Sequence, residues 1–409
     1  MTDSETLAER LRDGDLRLYE LDDHADHDTA AEARRRFVEG ETGATLETIG
    51  DYSFPAEAAE SNVENMVGAA QVPMGVAGPV AVAGGAASGD YYLPLATTEG
   101  ALLASVNRGL SVIDASGGST ARVTKNGMTR APVFRVDGVV EAAETVEWVA
   151  ENEPRLRAAA ESTTSHGELL GIEPYVVGDS VYLRFSYDTK DAMGMNMATI
   201  ATGEACDVVE AETPASLVAL SGNLCSDKKP AAVNAVEGRG RSVTAEVVVP
   251  GDLVEERLGT TADGIVEANT RKNLIGSAKA GSLGFNAHAA NVVAAAFLAT
   301  GQDEAHVVEG SNAITTMETR ERDGQGSADL YASISLASLQ VGTVGGGTNL
   351  PTQAEALDVL GLRGGGEPAG ENAEALAEVI AVGALAGELS LLAALSSRHL
   401  ASAHESLGR

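Results

Sequence analysis

The chain has 409 residues, 44% of them hydrophobic, and a formal net charge of −32. That charge argues against a nucleic-acid partner, because such a surface would release no counterions from a phosphate backbone. The length sets a prior of two or three domains, and the apolar content is enough to bury a sizeable core.

The acidic residues are scattered, as in "EAAETVEWVAENEPRLRAAAES" (141–162), and the chain carries only six lysines against 60 acidic residues. Such a surface suits molar salt, where the Debye length falls to roughly 3 Å. Unscreened, the charge repels itself, so stability is expected to need salt. Cys206 and Cys225 make no disulfide framework, which fits a reducing compartment. No apolar run reads as the roughly 18 residues that span a bilayer. The N-terminal "MTDSETLAERLRDGD" lacks a signal peptide's apolar stretch. The expectation is a soluble cytoplasmic protein with no membrane partner.

Residues 1–63 read as a charged helical segment. The Gly/Pro/Val-rich "VPMGVAGPVAVAGGAASGD" (72–90) predicts strands and turns. A helix follows, with Thr97 and Thr98 able to cap it. Leu102, Val106, Leu110 and Ile113 recur at helical spacing before the Gly117 and Gly118 stop. Glu99 falls on that apolar stripe and is expected to be at least partly buried. Burial would raise its pKa and make it a general acid, whereas the helix N-terminus would lower it and leave a capping glutamate.

The middle of the chain orders itself as strand "PVFRV", helical "VVEAAETVEWVAENEPRLRAAA", strands "LLGIEPYVV" and "SVYLRFSY" turning at Gly178 and Asp179, helix "MNMATIATGEACDVVEA" and strand "SLVALS". This β-α-β-β-α-β order is ferredoxin-like and places a small inserted domain at 124–220. Residues 64–123 and 221–409 then form one large α/β domain, and the whole is an α+β protein. Within the large domain, "AAVNAV–EGRGR–SVTAEVVVP" predicts a hairpin. A helix over 287–300 ends at Gly301, and a buried Ala/Leu-rich helix runs from Glu371 to about Ser397.

Several stretches could carry chemistry. "LCSDKKPAAV" (224–233) sets Lys228 beside Lys229 in a chain that has nearly dispensed with lysine. Such a lysine could stabilise an oxyanion or hold a carboxylate, or the two could form an exposed pair before a strand. Pro230 pushes Lys229 toward an extended backbone. Asp303 follows a glycine helix stop, where loop aspartates are ordinary. His399 and His404 lie five residues apart, about 140° around a helix, which argues against a metal site on one face. His404 could be a mobile acid or part of a frayed end. The "DDHADHD" run (22–28) could hold a cation or form a solvated acidic face. "VGTVGGGTNL" (341–350) is neither G-x-G-x-x-G nor a P-loop, but its glycines permit close backbone approach. The methionines of "KDAMGMNMA" (190–198) could be core packing.

Taken together, "ENMVG" (64–68), "VPMGVAGP" (72–79), "TTEGALLASVNRG" (97–109), "DAMGMNM" (191–197), "SGNLCSDKKPAAVNAVEGRGR" (221–241), "GFNAHAAN" (284–291), "GQD" (301–303) and "GTVGGGTNLPTQ" (342–353) resemble the 3-hydroxy-3-methylglutaryl-CoA (HMG-CoA) reductase family. The Asp-Lys-Lys-Pro run looks like the eukaryotic and archaeal class I, here of a soluble, halophilic archaeal type.

The resemblance implies a four-electron reduction of HMG-CoA to mevalonate by two NADPH, without a metal. Lys228 would serve the oxyanion, Glu99 would donate a proton, Asp303 would tune both, and His404 would protonate the departing CoA thiolate. Arg122, Ser221, Asn223, Asp227, Lys229, Lys272 and Asn291 would hold the acyl group. Ser105, Asn107, Arg108 and His288 would bind CoA. The dinucleotide would lie across Asp191, Met193, Met195 and Asn196, with Gln302, Val344, Gly345 and Gly346 beneath it. A homodimer or dimer of dimers, with sites at the subunit interface, is implied.

Three departures stand out. Ser165 and His166 occupy the stretch where an arginine for the NADPH 2′-phosphate is expected. Gly259 replaces an expected CoA-contacting lysine, with Arg257 nearby. The chain stops at Arg409, without a basic serine-bearing tail. Two rival readings are a CoA-acylating aldehyde dehydrogenase working through Cys225, and a non-catalytic CoA or nucleotide binder.

Overall fold

The computed structural model describes residues 2–321 and 327–397. The N-terminal segment is helical, as expected. Helix α1 (Ser4–Arg12) is capped by Asp3 and α2 (His27–Thr42) by Asp26, each carboxylate accepting backbone N–H bonds of the first turn. Leu7, Leu11, Leu21, Ala30 and Ala33 bury their side chains in a small core between these helices. The acidic run at 22–28 takes an internal cation: Asp22 pairs with the buried guanidinium of Arg34 at 2.5 Å.

Strands β1 (Met74–Ala83) and β2 (Ser88–Ala96) form an antiparallel hairpin. Helix α3 (Leu102–Ala115) follows, with Leu102, Val106, Leu110 and Ile113 all buried. Its start differs from the expectation. Ala101 precedes it with φ at 72°, no side chain caps it, and the Thr97 hydroxyl accepts from the Glu99 N–H instead. Glu99 therefore stands outside the helix and is exposed, which corrects the prediction that it is buried.

Strand β3 (Ser119–Arg130) joins two sheets. Its first part pairs with β1 and with β8 (Gly240–Val249), and its last residues pair with β6 (Ser180–Asp188). With β4 (Val133–Arg135), β5 (Glu168–Val177) and β7 (Ser216–Ala219), β6 makes an antiparallel sheet ordered β7-β4-β6-β5. That is the ferredoxin-like order. Helices α4 (Val139–Glu151), α5 (Glu153–Glu161) and α6 (Met195–Glu212) bury Leu156, Val209 and the strand residues Phe134, Phe185 and Tyr187 with it. Pro154, in the first turn of α5, marks the break in what periodicity suggested was one helix. A boundary drawn at 123/124 falls inside a continuous strand.

The hairpin expected around "EGRGR" is instead a short helix, α7 (Ala232–Glu237), running into β8. Gly238 and Gly240, both at φ 74°, turn the chain there. Strands β9 (Ala313–Arg320) and β10 (Asp329–Leu339) complete the large sheet beside β8. Helix α8 (Ala289–Thr300) ends at left-handed Gly301, as predicted, and α9 (Pro351–Leu360) precedes α10 (Glu371–Ser396).

Helix α10 is the axis of the large core. It has an 18-residue window of mean hydropathy 1.9, long and apolar enough to span a bilayer, contrary to the sequence expectation. The helix packs instead against α3, α8 and the large sheet, with most of that window buried. It also carries two buried carboxylates, each fully committed. Glu378 accepts the N–H groups of Gly85, Ala86 and Ala87 at 2.8, 3.0 and 2.7 Å, fixing the β1–β2 turn. Glu388 accepts those of Ala287 and His288, both at 2.7 Å, and the Thr315 hydroxyl at 2.8 Å. A buried carboxylate is tolerable only when its lone pairs are filled in this way.

Helices α3 and α10 meet at Gly109, where a Cβ would lie 2.0 Å from the Ala386 carbonyl oxygen. Gly109→Ala must push the helices apart and is expected to cost about 3 kcal/mol. Denaturant unfolding in molar KCl measures it, and an unchanged midpoint would contradict so close a crossing.

Candidate active site

The loop from Ser221 to Ala231 carries an unusual backbone. Asn223, Ser226 and Lys228 all have positive φ, at 62°, 47° and 57°, a region that non-glycine residues rarely occupy. Such strain persists only where the surroundings over-determine it. Here the Gly222 N–H donates to Ala131 O at 2.7 Å, Asn234 Nδ2 donates to Ser226 O at 3.1 Å, and the Lys228 N–H donates to Glu309 Oε1 at 2.5 Å. The result presents the Lys228 ammonium to Asp303, Nζ to Oδ2 2.7 Å. Lys229 is exposed, its Nζ donating to Asp227 O.

Beneath the loop lies a buried polar cluster that the sequence reading did not identify. Arg239, His306 and Glu309 have no exposed surface. Arg239 bridges Glu309 and Asp227, both at 3.1 Å, and its Nη2 also meets Met195 Sδ at 2.7 Å. Gln340 and Asn234 donate to Glu309 Oε2 at 2.8 and 3.1 Å. Donor atoms of Asp227, His306 and Glu309 converge within 4.8 Å of one another, a spacing that could suit a metal. The Arg239 guanidinium already occupies that convergence, so the local cation is arginine.

A second group forms elsewhere. Asn291 Nδ2 donates to Glu99 Oε1 at 3.2 Å and lies 3.4 Å from His288 Nδ1. Lys272 Nζ reaches Ala287 O at 3.5 Å. Ser105 Oγ and Arg108 Nε each bond Ser390 Oγ at 3.0 Å, tying them to α10, and burial depresses the arginine's pKa. Asn107 Oδ1 accepts from the Gly78 N–H at 2.8 Å, beside a cleft of about 600 Å³ that Ser111 and Arg257 also line. Gly259 has φ at 66° and ends a helical turn, which is why a side-chain-bearing residue is disfavoured there.

The two groups sit at opposite ends of α8. Asn291 is in its first turn and Asp303 lies just past Gly301, so most of the helix, about 15 Å, separates them. The expected direct link between Glu99 and the ion pair of Lys228 and Asp303 is therefore not made within one chain. Arg122 is also misplaced. Its Nη1 donates to Ala83 O and Ala121 O, on the side of the Glu378 turn. Arg130, which the sequence reading passed over, ends β3 next to Ala131 and so adjoins Ser221 through the Gly222 bond. Its guanidinium rests on the Thr199 hydroxyl of α6.

The expected dinucleotide residues do cluster. Ala192 bridges to Val344, and Thr343 N–H donates to Asp191 O at 2.8 Å. Gln302 clasps the glycine-rich segment, exchanging bonds with Gly342 N and O at 2.8 and 2.9 Å. Gly301 and Gly347 cross so closely that a Cβ on either would strike the other's backbone. Buried Arg241 donates to Val341 O and Lys190 O, binding both loops together. Asp191 and Gln302 work from below: the Asp191 carboxylate is spent on the N–H groups of Gly366, Gly370 and Ala373. Met195 is buried and Met193 partly so, whereas Asn196, Gly345 and Gly346 are exposed. No side chain caps α6, so its first-turn N–H groups suit a phosphate, and Gly345 and Gly346 leave open space beside them. The residues present therefore fit a dinucleotide. Ser165 and His166 are exposed just before β5.

Cys225 is fully buried, with Ser221 Oγ at 3.7 Å, which denies a substrate access to its thiol and weighs against the acylating dehydrogenase. His399 and His404 lie outside the described residues.

Burial pulls the Asp303 pKa up, but the Lys228 hydrogen bond and the charge of His306 outweigh it, leaving it below the usual carboxylate value. A depressed pKa contributes stability above the unfolded-state value and loses it as pH falls through the folded one. The ion pair is thus expected to survive to below pH 3.8. Carboxyl NMR of Asp303 checks this, and titration above that value would contradict it.

Comparison with known proteins gives one answer. The family model for hydroxymethylglutaryl-coenzyme A reductase matches residues 30–409. The chain is 71% identical over 409 residues to the 3-hydroxy-3-methylglutaryl-coenzyme A reductase of Haloferax volcanii, covering 100% of both. It is 70% identical over 408 residues to that of Halobacterium salinarum, covering 100% of this chain and 99% of the relative. Among solved structures it resembles the NADPH-bound class II reductase of Streptococcus pneumoniae, in open conformations, at a TM-score of 0.67 and 20% identity. That likeness covers 88% of this chain and 96% of the other, and at such identity it speaks for the fold alone, so it carries no class I assignment. The chain belongs to the hydroxymethylglutaryl-coenzyme A reductase family.

Proposed function

We propose that the protein reduces HMG-CoA to mevalonate and CoA with two NADPH, the step that commits carbon to isoprenoids. The observation that carries this reading is the ion pair of Lys228 and Asp303, held at 2.7 Å on a strained loop in a chain that matches the family end to end. When bound, NADPH supplies hydride. Asn196, the uncapped start of α6 and the turn at Gly345 and Gly346 would hold it, with Asp191, Gln302 and Arg241 fixing those loops.

The chain's own residues handle charge and protons. Lys228 meets the oxygen that gains negative charge, where a preorganised cation lowers the barrier most. Asp303 aims the lysine and keeps it charged until it gives its proton to that oxygen. Glu99, carried beside Asn291, donates a proton to the aldehyde oxygen, and His404 protonates the leaving thiolate. Ser221, Asn223, Asp227 and Lys229 line the substrate's carboxylate with Arg130, which takes the place first given to Arg122. Lys272 and Asn291 face the acyl portion, and Ser105, Asn107, Arg108, His288 and Arg257 face CoA.

Because the two groups lie at opposite ends of α8, a complete site draws Glu99 from one subunit and Lys228 from another. That favours a homodimer or dimer of dimers. The Asp-Lys-Lys-Pro loop supports class I, and the acidic surface supports a halophilic, cytoplasmic enzyme. The small unit over about 124–220, entered along β3, is the cofactor domain, residues 64–123 and 221–409 form the substrate and dimerisation domain, and 1–63 is the N-terminal helical segment.

The test is turnover in molar KCl. Two NADPH should be consumed per mevalonate formed, and Lys228→Ala should abolish both reductions. Arg130→Ala should raise the KM for the thioester about tenfold or more, the size of a lost charge-assisted bond, while Arg122→Ala should not. Full activity in Lys228→Ala, or no turnover by the folded wild type, would defeat the reading.

A further inference from the structure

Among the described residues, His306 is a buried titratable group next to the reacting lysine to which the reductase reading gives no task. It lies between the ion pair of Lys228 and Asp303 on one side and the buried carboxylate of Glu309 on the other. Its Nε2 is 3.6 Å from Asp303 Oδ2 and 3.8 Å from Asp227 Oδ1. Neither is a hydrogen bond; His306 Nε2 is a buried polar atom without a hydrogen-bond partner, and Asp227 Oδ1 is held only by its ion pair with Arg239 Nη2 at 3.1 Å. A closure of less than 1 Å would connect them. On the other edge of the ring, Nδ1 is 3.3 Å from both Glu309 Oε1 and Arg239 Nη1. With its proton kept on Nδ1, the ring donates to that carboxylate both before and after Nε2 gives up its own proton.

The charges facing His306 from each element are Asp227 and Lys228 of the strained loop, Arg239 leading into β8, and Asp303 and Glu309 on either side of it in sequence. Two cations face three anions, so an imidazolium brings the cluster to neutrality, which is the arrangement burial favours. The positive charge of His306 is also one of the causes holding the Asp303 pKa down.

We propose that His306 is a positioning residue that acts through Asp303, returning a proton to Lys228 between the two reductions. The inference rests on the reductase reading, in which each carbonyl reduction takes up one proton with its hydride. After Lys228 has given its proton to the substrate oxygen, Nε2–H of the imidazolium passes a proton to Asp303 Oδ2, and Asp303 passes it to the neutral Nζ. The products are imidazole and ammonium, and no electron moves. His306 recovers its proton from water through the partly exposed Asp227. The device lets one lysine serve two successive proton-consuming steps in a single turnover.

His306→Gln keeps a polar side chain of similar reach but cannot relay a proton. With the full-length enzyme in molar KCl, steady-state kcat should fall about 100-fold. KM values should stay within about twofold, as for loss of a transition-state contribution alone. The first hydride transfer, followed as a single turnover by NADPH absorbance, should run at the wild-type rate because Lys228 starts protonated. The pH profile of kcat should also change shape. Unchanged kcat and pH profile would overturn the inference, as would an equal loss in single and multiple turnovers, the mark of a merely structural residue. If His306→Gln does not fold, the wild type's proton inventory in H₂O/D₂O mixtures decides: a curved inventory for the second reduction supports a relay, and a linear one overturns it. An inactive wild type would instead indict the reductase reading.

Discussion

The site depends on one buried carboxylate. Glu309, with no exposed surface, accepts the backbone N–H of Lys228, two side-chain amides and the Arg239 guanidinium. Removing a charge from water is expensive and becomes tolerable only when every lone pair is filled. The same bonds that satisfy Glu309 hold Lys228 in a left-handed conformation it would otherwise leave. Fold stability and lysine placement therefore have the same cause. Arg241 does the corresponding work two residues further along, where its guanidinium joins the two loops assigned to the dinucleotide.

Helix α10 plays the matching part for the other group. Glu388 fixes the turn that carries His288 into α8, and Ser390 anchors Ser105 and Arg108. One rigid helix, α8, spans the distance between this group and Lys228, so neither can drift toward the other. On the proposed reading, a chain built this way carries the two halves of a reaction centre at opposite ends of one helix. The family's chemistry calls for both halves, and self-association of identical chains is the economical way to bring them together.

Much of this was legible in the sequence, and the failures have physical reasons. The β-α-β-β-α-β order followed from periodicity, because a buried face leaves a regular trace, and the long core helix followed from its Ala/Leu-rich composition. Lys228 and Asp303 stood out through a quoted motif and prove to be partners. Glu99 was misjudged because Ala101 adopts a left-handed conformation that spacing does not reveal, so the apolar stripe begins three residues later. "EGRGR" looked like a hairpin turn because glycine and arginine together suggest solvent, whereas both arginines are buried against carboxylates and carbonyls. Arg122 and Arg130 lie on the same strand, and only the pairing of Gly222 with Ala131 tells which of them faces the loop. His306 and Glu309 gave no signal, since partners that make a buried titratable pair meaningful come from distant segments. The apolar run of α10 was missed as long enough to span a bilayer, although the same segment was rightly read as a buried helix.

The central claim is that each site is composite, with Glu99 and Lys228 supplied by different chains. Mixing the inactive variants Glu99→Gln and Lys228→Ala, after dissociation and reassembly in molar KCl, tests it directly. Mixed dimers would hold one site free of both substitutions, so activity should recover to about a quarter of wild type by random pairing. No recovery, with mixed dimers shown to have formed, would mean that one chain holds both residues in the same site and would contradict the account.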